Sequence, residues 1–223
     1  MRRKWGLAAV LLLLGGALSF AGGAPEAETT GFSTGEVVYL EGEIFINERA
    51  ADFGAPVHSG DVVRTGTGSS CDIVFGEKNV MRLYEDTIAE IDFAGGEVRV
   101  ETGSLGAVFE KLSNIVAAHG NKFQIASPQV VGGVRGTVFF LKIENPGSSY
   151  RCICYGKMTY EDTEGDNRRV AEAKNHKAFH YREVDGEIRS SSAKLLYHDD
   201  ESMDAIAERV DVRIRWDDSD PSY

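Results

Sequence analysis

The sequence is poor in positive charge, in cysteine and in long apolar runs. Of its 223 residues, 24 are Lys or Arg against 35 Asp or Glu, a formal net charge of −11. That balance excludes a nucleic-acid partner, which needs a basic patch to neutralise phosphates, and disfavours docking on anionic lipid. None of the three cysteines lies near residues 19–24, which rules out a lipid anchor at the end of the leader-like segment. Gly132-Gly133-Val134-Arg135-Gly136-Thr137 has a glycine-rich look but lacks the lysine and following helix of a phosphate loop. No nucleophile and base stand at a spacing that signals catalysis. The remaining composition, 42% hydrophobic and 26% charged, is that of a folded globular chain rather than a disordered one.

What is present begins with export. Arg2, Arg3 and Lys4 precede an apolar run from Trp5 to Phe20 and then the small residues Ser19, Ala21, Gly22, Gly23 and Ala24. This order predicts a secretory signal peptide over 1–21, cleaved after Ala21 with Ala24 as a second option, and a periplasmic or secreted location. The run is short for a spanning helix and contains Gly15 and Gly16, so membrane attachment arises only if it stays uncleaved. A polar linker over 22–34 follows.

From Gly35 the chain becomes a succession of short strands punctuated by glycine. Val37 and Tyr39 lead through Gly42 to Ile44 and Ile46; Val98 and Val100 lead through Gly103 to Leu105; Cys152 to Tyr155 lead through Gly156 to Met158 and Tyr160. A strand, a bend and a strand recur without strict periodicity, and each unit has two apolar faces only if it stacks on its neighbours. The fold class predicted is therefore all-β, a short solenoid-like or sandwich-like stack of antiparallel or irregular strands, with a small C-terminal α+β appendage over 161–216. In that appendage Ala178–Tyr181 and Glu187–Ser190 form a hairpin around Asp185-Gly186. Asp199 or Asp200 caps a helix whose apolar side carries Met203, Ile206, Ala207 and Val210. Residues 217–223 read as a disordered tail. Ala107–Ala118 is ambiguous between a helix and an irregular excursion.

The stretch Phe123–Phe140 carries the most information. Phe123 and Ile125 share one face of a strand, while Val138 and Phe140 oppose Phe139 on the next. Pro128 fixes its own φ and cannot donate to a ladder, which places it at a strand end. Gly132, Gly133 and Gly136 mark the corner between the strands. Arg135, inside an apolar run, is costly to bury unless its guanidinium meets a carboxylate or carbonyls, and is read as a structural clamp ahead of a ligand-recognition role. Phe123, Ile125, Ser127, Pro128, Val130, Val134, Arg135, Gly136, Thr137 and Phe139 together resemble the signature of the FecR family. The resemblance extends through Gly60-Asp61 and Thr65-Gly66 and covers roughly 35–160. It implies an exported, non-catalytic sensing and binding domain, with Pro128, Gly133, Arg135, Gly136, Thr137 and Phe139 as structural signature residues. The family's best-known members pass a signal from an outer-membrane receptor to a cytoplasmic sigma factor. Here only the leader-like segment precedes the domain, so the expectation is a stand-alone envelope domain that binds a protein or polysaccharide partner. A metal- or carboxylate-dependent envelope hydrolase and a purely structural envelope protein are the alternatives.

Cys71, Cys152 and Cys154 are an odd set for an oxidising compartment. Cys152 and Cys154 alternate along one strand and share a face, where a bond between them is geometrically poor. The three read as small buried hydrophobes, with a disulfide from Cys71 to either partner if their strands are neighbours, and a metal or redox site as the third option. His176 and His180 tempt a zinc reading. On a strand, however, four residues span roughly 13 Å, too far for one ion, so these histidines are assigned to the surface. No metal and no cofactor are expected.

Overall fold

The computed structural model describes residues 34–110, 123–134, 136–163, 168–217 and 219. The leader-like segment and Arg135 lie outside the described residues, as do 111–122 and most of the tail. In chain order the strands are β1 (Thr34–Glu41), β2 (Ile44–Ile46), β3 (Arg49–Ala50), β4 (Pro56–His58), β5 (Asp61–Thr65), β6 (Ser70–Phe75), β7 (Asn79–Leu83), β8 (Ile88–Asp92) and β9 (Glu97–Thr102). They continue as β10 (Ser104–Phe109), β11 (Phe123–Ala126), β12 (Val130–Val134), β13 (Thr137–Asn145), β14 (Ser148–Asp162), β15 (Arg169–Ala173), β16 (Lys177–Val184) and β17 (Glu187–Ala193). Helix α1 (Asp200–Ala207) and a 3-10 turn (Glu208–Val210) follow.

The strands form two sheets. The first runs β4-β1-β6-β7-β10-β13-β14-β16-β17. The second runs β3-β2-β5-β8-β9-β11-β12-β14-β15, antiparallel except where β9 meets β11. The chain crosses between sheets every one or two strands, so the all-β stack is both a sandwich and a loosely wound solenoid.

One strand belongs to both sheets. The first half of β14 pairs with β13 as far as Tyr155 and with β16 as far as Ile153, and from Gly156 onward the strand pairs with β12 and β15. Such a switch needs a sharp corner. Gly156 provides it at φ +98°, where a Cβ would lie 2.7 Å from the Gly136 carbonyl oxygen. β15–β17 extend the two sheets directly, so the C-terminal hairpin is continuous with the main stack.

Alternation along each strand sends one set of side chains between the sheets. Phe75, Phe109, Phe123 and Phe139 meet there at centroid separations of 5.4–5.9 Å, among Val37, Ile73, Leu83, Val98 and Ile125. The other set on the first sheet, Val80, Val108, Val138, Phe140, Tyr150, Cys152 and Cys154, faces outward and is covered by Met203, Ile206, Ala207 and Ile214. The C-terminal segment is thus a third layer. Its helix is capped as expected: the Asp199 carboxylate accepts from the Ser202 amide, and the Ser202 hydroxyl accepts from the Asp199 amide. Ala107–Phe109 are not helical, since β10 is paired on both sides by β7 and β13.

Candidate metal centre

The cover meets the first sheet at a cluster of sulfur and nitrogen donors. Tyr150, Cys152 and Cys154 project from the outer face of β14, whereas Arg151 and Ile153 point between the sheets. Cys154 is skipped by the ladder with β13: Phe139 pairs with Ile153 and Val138 with Tyr155. Its carbonyl instead accepts a hydrogen bond from the His176 amide at 3.0 Å. The extra residue is a β-bulge, a device that re-aims a side chain next to a site. His176 lies in the connection between β15 and β16 with φ +41°, a conformation uncommon outside glycine, Asn, Asp and His.

Among the described residues, one ligand atom from each of Cys152, Cys154, His176 and His198 falls within 4.8 Å of all the others. Cys152 Sγ is 3.5 Å from His176 Nδ1, and Cys154 Sγ is 3.3 Å from His198 Nε2. Each ring is committed through its other nitrogen. His176 Nε2 lies 2.6 Å from Asp200 Oδ1, and His198 Nδ1 lies 2.8 Å from the Leu196 carbonyl oxygen. Each is also stacked: His176 on Trp216, centroids 5.0 Å apart and 12° from parallel, and His198 on Phe140, 4.4 Å apart and 9° from parallel. Both cysteines and His176 are buried, and His198 is half-buried.

Electrostatics separates the two thiols. Burial opposes ionisation of Cys152, but hydrogen bonds involving Cys154, His176 and His198 outweigh it and hold its pKa well below the usual thiol value. Burial, with Cys152 beside it, pushes Cys154 well above that value. For His176 burial favours the neutral ring, yet Cys152 and Asp200 prevail and raise its pKa.

The cover has a second fastening. Asp72, fully buried on the outer face of β6, accepts from Arg82 Nε at 2.6 Å and Nη2 at 2.7 Å and from Arg209 Nε at 2.8 Å. The Arg209 guanidinium stacks 4.5 Å above the Tyr39 ring. Charge on a planar fork paired this way clamps the far end of the helix to the sheet.

The residues singled out from sequence are distributed differently. His176 is buried, not on the surface, and its partner is His198 rather than His180, which instead lies 3.3 Å from Glu144. The disulfide that Cys71 could have made is absent: all three cysteines are free thiols. Cys71 lies in the inter-sheet core on β6, flanked by β1 and β7 rather than β14, and burial, ahead of the neighbouring Asp72 carboxylate, pushes its pKa to about 12. Pro128 does sit in the β11–β12 connection, Gly136 turns the corner at φ +61°, Thr137 donates to the Lys157 carbonyl, and Phe139 is core. Gly132 and Gly133 are not corner residues but lie inside β12, paired to β11 and β14.

A buried clamp exists, and it is Arg151. Its guanidinium donates to the Ile125 carbonyl, the Ser127 hydroxyl and the Val130 carbonyl, and lies 5.8 Å from the Tyr160 ring centre. A Cβ on Gly132 would lie 2.8 Å from Arg151 Nη1, so that glycine is needed to admit the arginine. Its sequence signal was an arginine at an inward position of a strand, Arg151 between Tyr150 and Cys152.

The model of the family described as "FecR protein" matches residues 61–155. No curated protein matches the chain. Two crystal structures of a protein described as "a putative anti-sigma factor from Parabacteroides distasonis" align at 14% identity with a TM-score of 0.47, each over 60% of this chain. The alignment likewise spans 60% of the length of those structures.

Proposed function

Starting from the FecR domain that this chain carries, we propose that the protein is a non-catalytic binding and sensing module of envelope signalling. The match over residues 61–155 carries the reading; those residues span β5 to the first half of β14, the centre of both sheets. The donor cluster is in keeping with it, because four side chains converge there under a protein cover, whereas a catalytic metal site keeps a coordination position open to substrate.

The surface offered to a partner is a strand edge. Of the four strands that end the two sheets, β4, β17, β3 and β15, the longest is β17, with seven residues. Four of these, Glu187, Arg189, Ser191 and Ser192, are exposed. A free edge of that length can take up an extended segment of an envelope protein through main-chain hydrogen bonds. The test is a photocrosslinking residue placed at Ser191 or Ser192 in intact cells, with transcription compared between the wild type and a deletion strain. A specific protein crosslink at β17 together with an altered set of envelope genes is expected. No crosslink from either position and unchanged transcription under envelope stress would overturn the proposal.

A further inference from the structure

The chemistry of the donor cluster points to an occupant. Two thiols and two imidazoles are the donors favoured by zinc and similar borderline-soft divalent cations, not by calcium or magnesium, which take oxygen. Bonds of about 2.3 Å to sulfur and about 2.0–2.1 Å to nitrogen set the edges of a tetrahedron at roughly 3.3–3.8 Å. The two measured sulfur–nitrogen separations, 3.5 and 3.3 Å, match such edges. Both rings present one nitrogen inward and engage a carboxylate or backbone carbonyl with the other, the outer contacts that fix tautomer and orientation in metal sites. A merely apolar contact between cover and sheet would require none of this orientation, and the same outer face achieves apolar packing elsewhere with Val80, Val108 and Ile206.

We propose that Cys152, Cys154, His176 and His198 bind one zinc-class divalent cation in a closed tetrahedral site that fastens the C-terminal cover to the first sheet. On binding, both sulfurs coordinate as thiolates, each having given up its thiol proton, and His176 coordinates through neutral Nδ1, with Nε2–H donating to Asp200. The protons pass to solvent and no electron is transferred. The ion links β14, the β15–β16 connection and the segment before α1; Cys154 and His198 alone are 44 residues apart. Its loss leaves the cover held by the Asp72–Arg209 clamp, by hydrogen bonds such as Leu196 to Tyr150 and Tyr197 to Glu144, and by apolar contact, and loosens it over the outer face of the sheet.

The test uses the full chain as produced, reduced, stripped with chelator and titrated with Co(II), then with Zn(II). One Co(II) per chain is expected, giving the intense visible bands of a tetrahedral site and a sulfur-to-metal charge-transfer band, both removed by one equivalent of Zn(II). Cys154→Ser and His198→Gln should weaken uptake by at least about 100-fold, while Cys71→Ser and His180→Gln bind like the wild type. Zinc should protect residues 195–216 from limited proteolysis. If Cys154→Ser does not fold, the wild-type spectrum decides alone: absence of the charge-transfer band in protein shown to hold three free thiols overturns the proposal. So does a pale octahedral spectrum, uptake indifferent to both ligand variants, or a Cys152–Cys154 disulfide formed in preference to metal binding.

Discussion

Neighbouring residues of β14 solve the same problem in opposite ways on the two faces of one sheet. Facing inward, Arg151 brings a full charge between the sheets and finds carbonyls and a hydroxyl already in place. Facing outward, Cys152 and Cys154 enter an equally buried layer whose neighbours, His176 and His198, are donors aimed at a common point. The first set is answered by the protein's own groups at both terminal nitrogens of the guanidinium, and only Nε is left without a partner among the described residues. The second brings together four groups whose lone pairs converge, and convergent lone pairs repel unless protons or a cation lie between them. The difference teaches that burial alone does not mark a site; what matters is whether the polar groups answer one another or point together.

The largest effect should come from the inner face. Arg151→Ala removes a large buried side chain and leaves the Ile125 and Val130 carbonyls without this donor, a loss of about 3–5 kcal/mol in urea-induced unfolding. Arg151→Met restores volume without the hydrogen bonds; if it matched wild-type stability, the contrast between the faces would fail. The outer face should respond to metal instead. Zinc at about a hundred-fold excess over its dissociation constant should stabilise the wild type by about 2.7 kcal/mol, raising Tm by roughly 5–10 °C for a domain of this size. Arg151→Met should retain that shift and Cys154→Ser should lose it, as differential scanning fluorimetry would show.

A smaller effect is expected at Asp200, which orients His176 without touching the ion. Asp200→Asn should weaken zinc binding by about 10–100-fold while leaving the one-to-one stoichiometry intact, measurable by competition with a chromophoric chelator. The smallest lies at the rim, where Glu144 accepts from Ser148 at 2.6 Å and Tyr197 at 2.8 Å. Burial raises its pKa, but these hydrogen bonds and His180 prevail and place it below the ordinary 4.5. A depressed carboxylate contributes stability that is full above its unfolded value and lost as pH falls through the folded one. Glu144→Gln should therefore cost a few tenths of a kcal/mol near neutrality, since solvent screens the site, and the difference should shrink as pH falls below the ordinary 4.5 and vanish once pH has passed below the depressed folded value. A difference that persists there would mean that the contact is not electrostatic.

Local features were legible because they depend on a few adjacent residues. The hairpin at Asp185-Gly186, both at positive φ, the Asp199 cap, the inward Phe123, Ile125 and Phe139, and the outward Val138 and Phe140 all follow from turn chemistry and a period of two. The clamp was legible as a requirement but was assigned to Arg135, which lies outside the described residues, while Arg151 satisfies that requirement between the sheets. The donor cluster was not legible. Its ligands come from β14, a connection and the cover, and the one histidine pair close in sequence is divided, His176 lying in the connection before β16 and His180 within β16 beside Glu144.

The sequence by itself determined an all-β stack with glycine corners, the faces of its strands, the capped helix at its end and a resemblance to the FecR signature. Those properties are set by backbone sterics and by alternation, which act over a few residues. Only the tertiary structure decided that β14 crosses between sheets, that Gly132 makes room for Arg151, and that Cys152, Cys154, His176 and His198 converge. Each depends on groups far apart along the chain being carried to one place by the burial of two apolar faces.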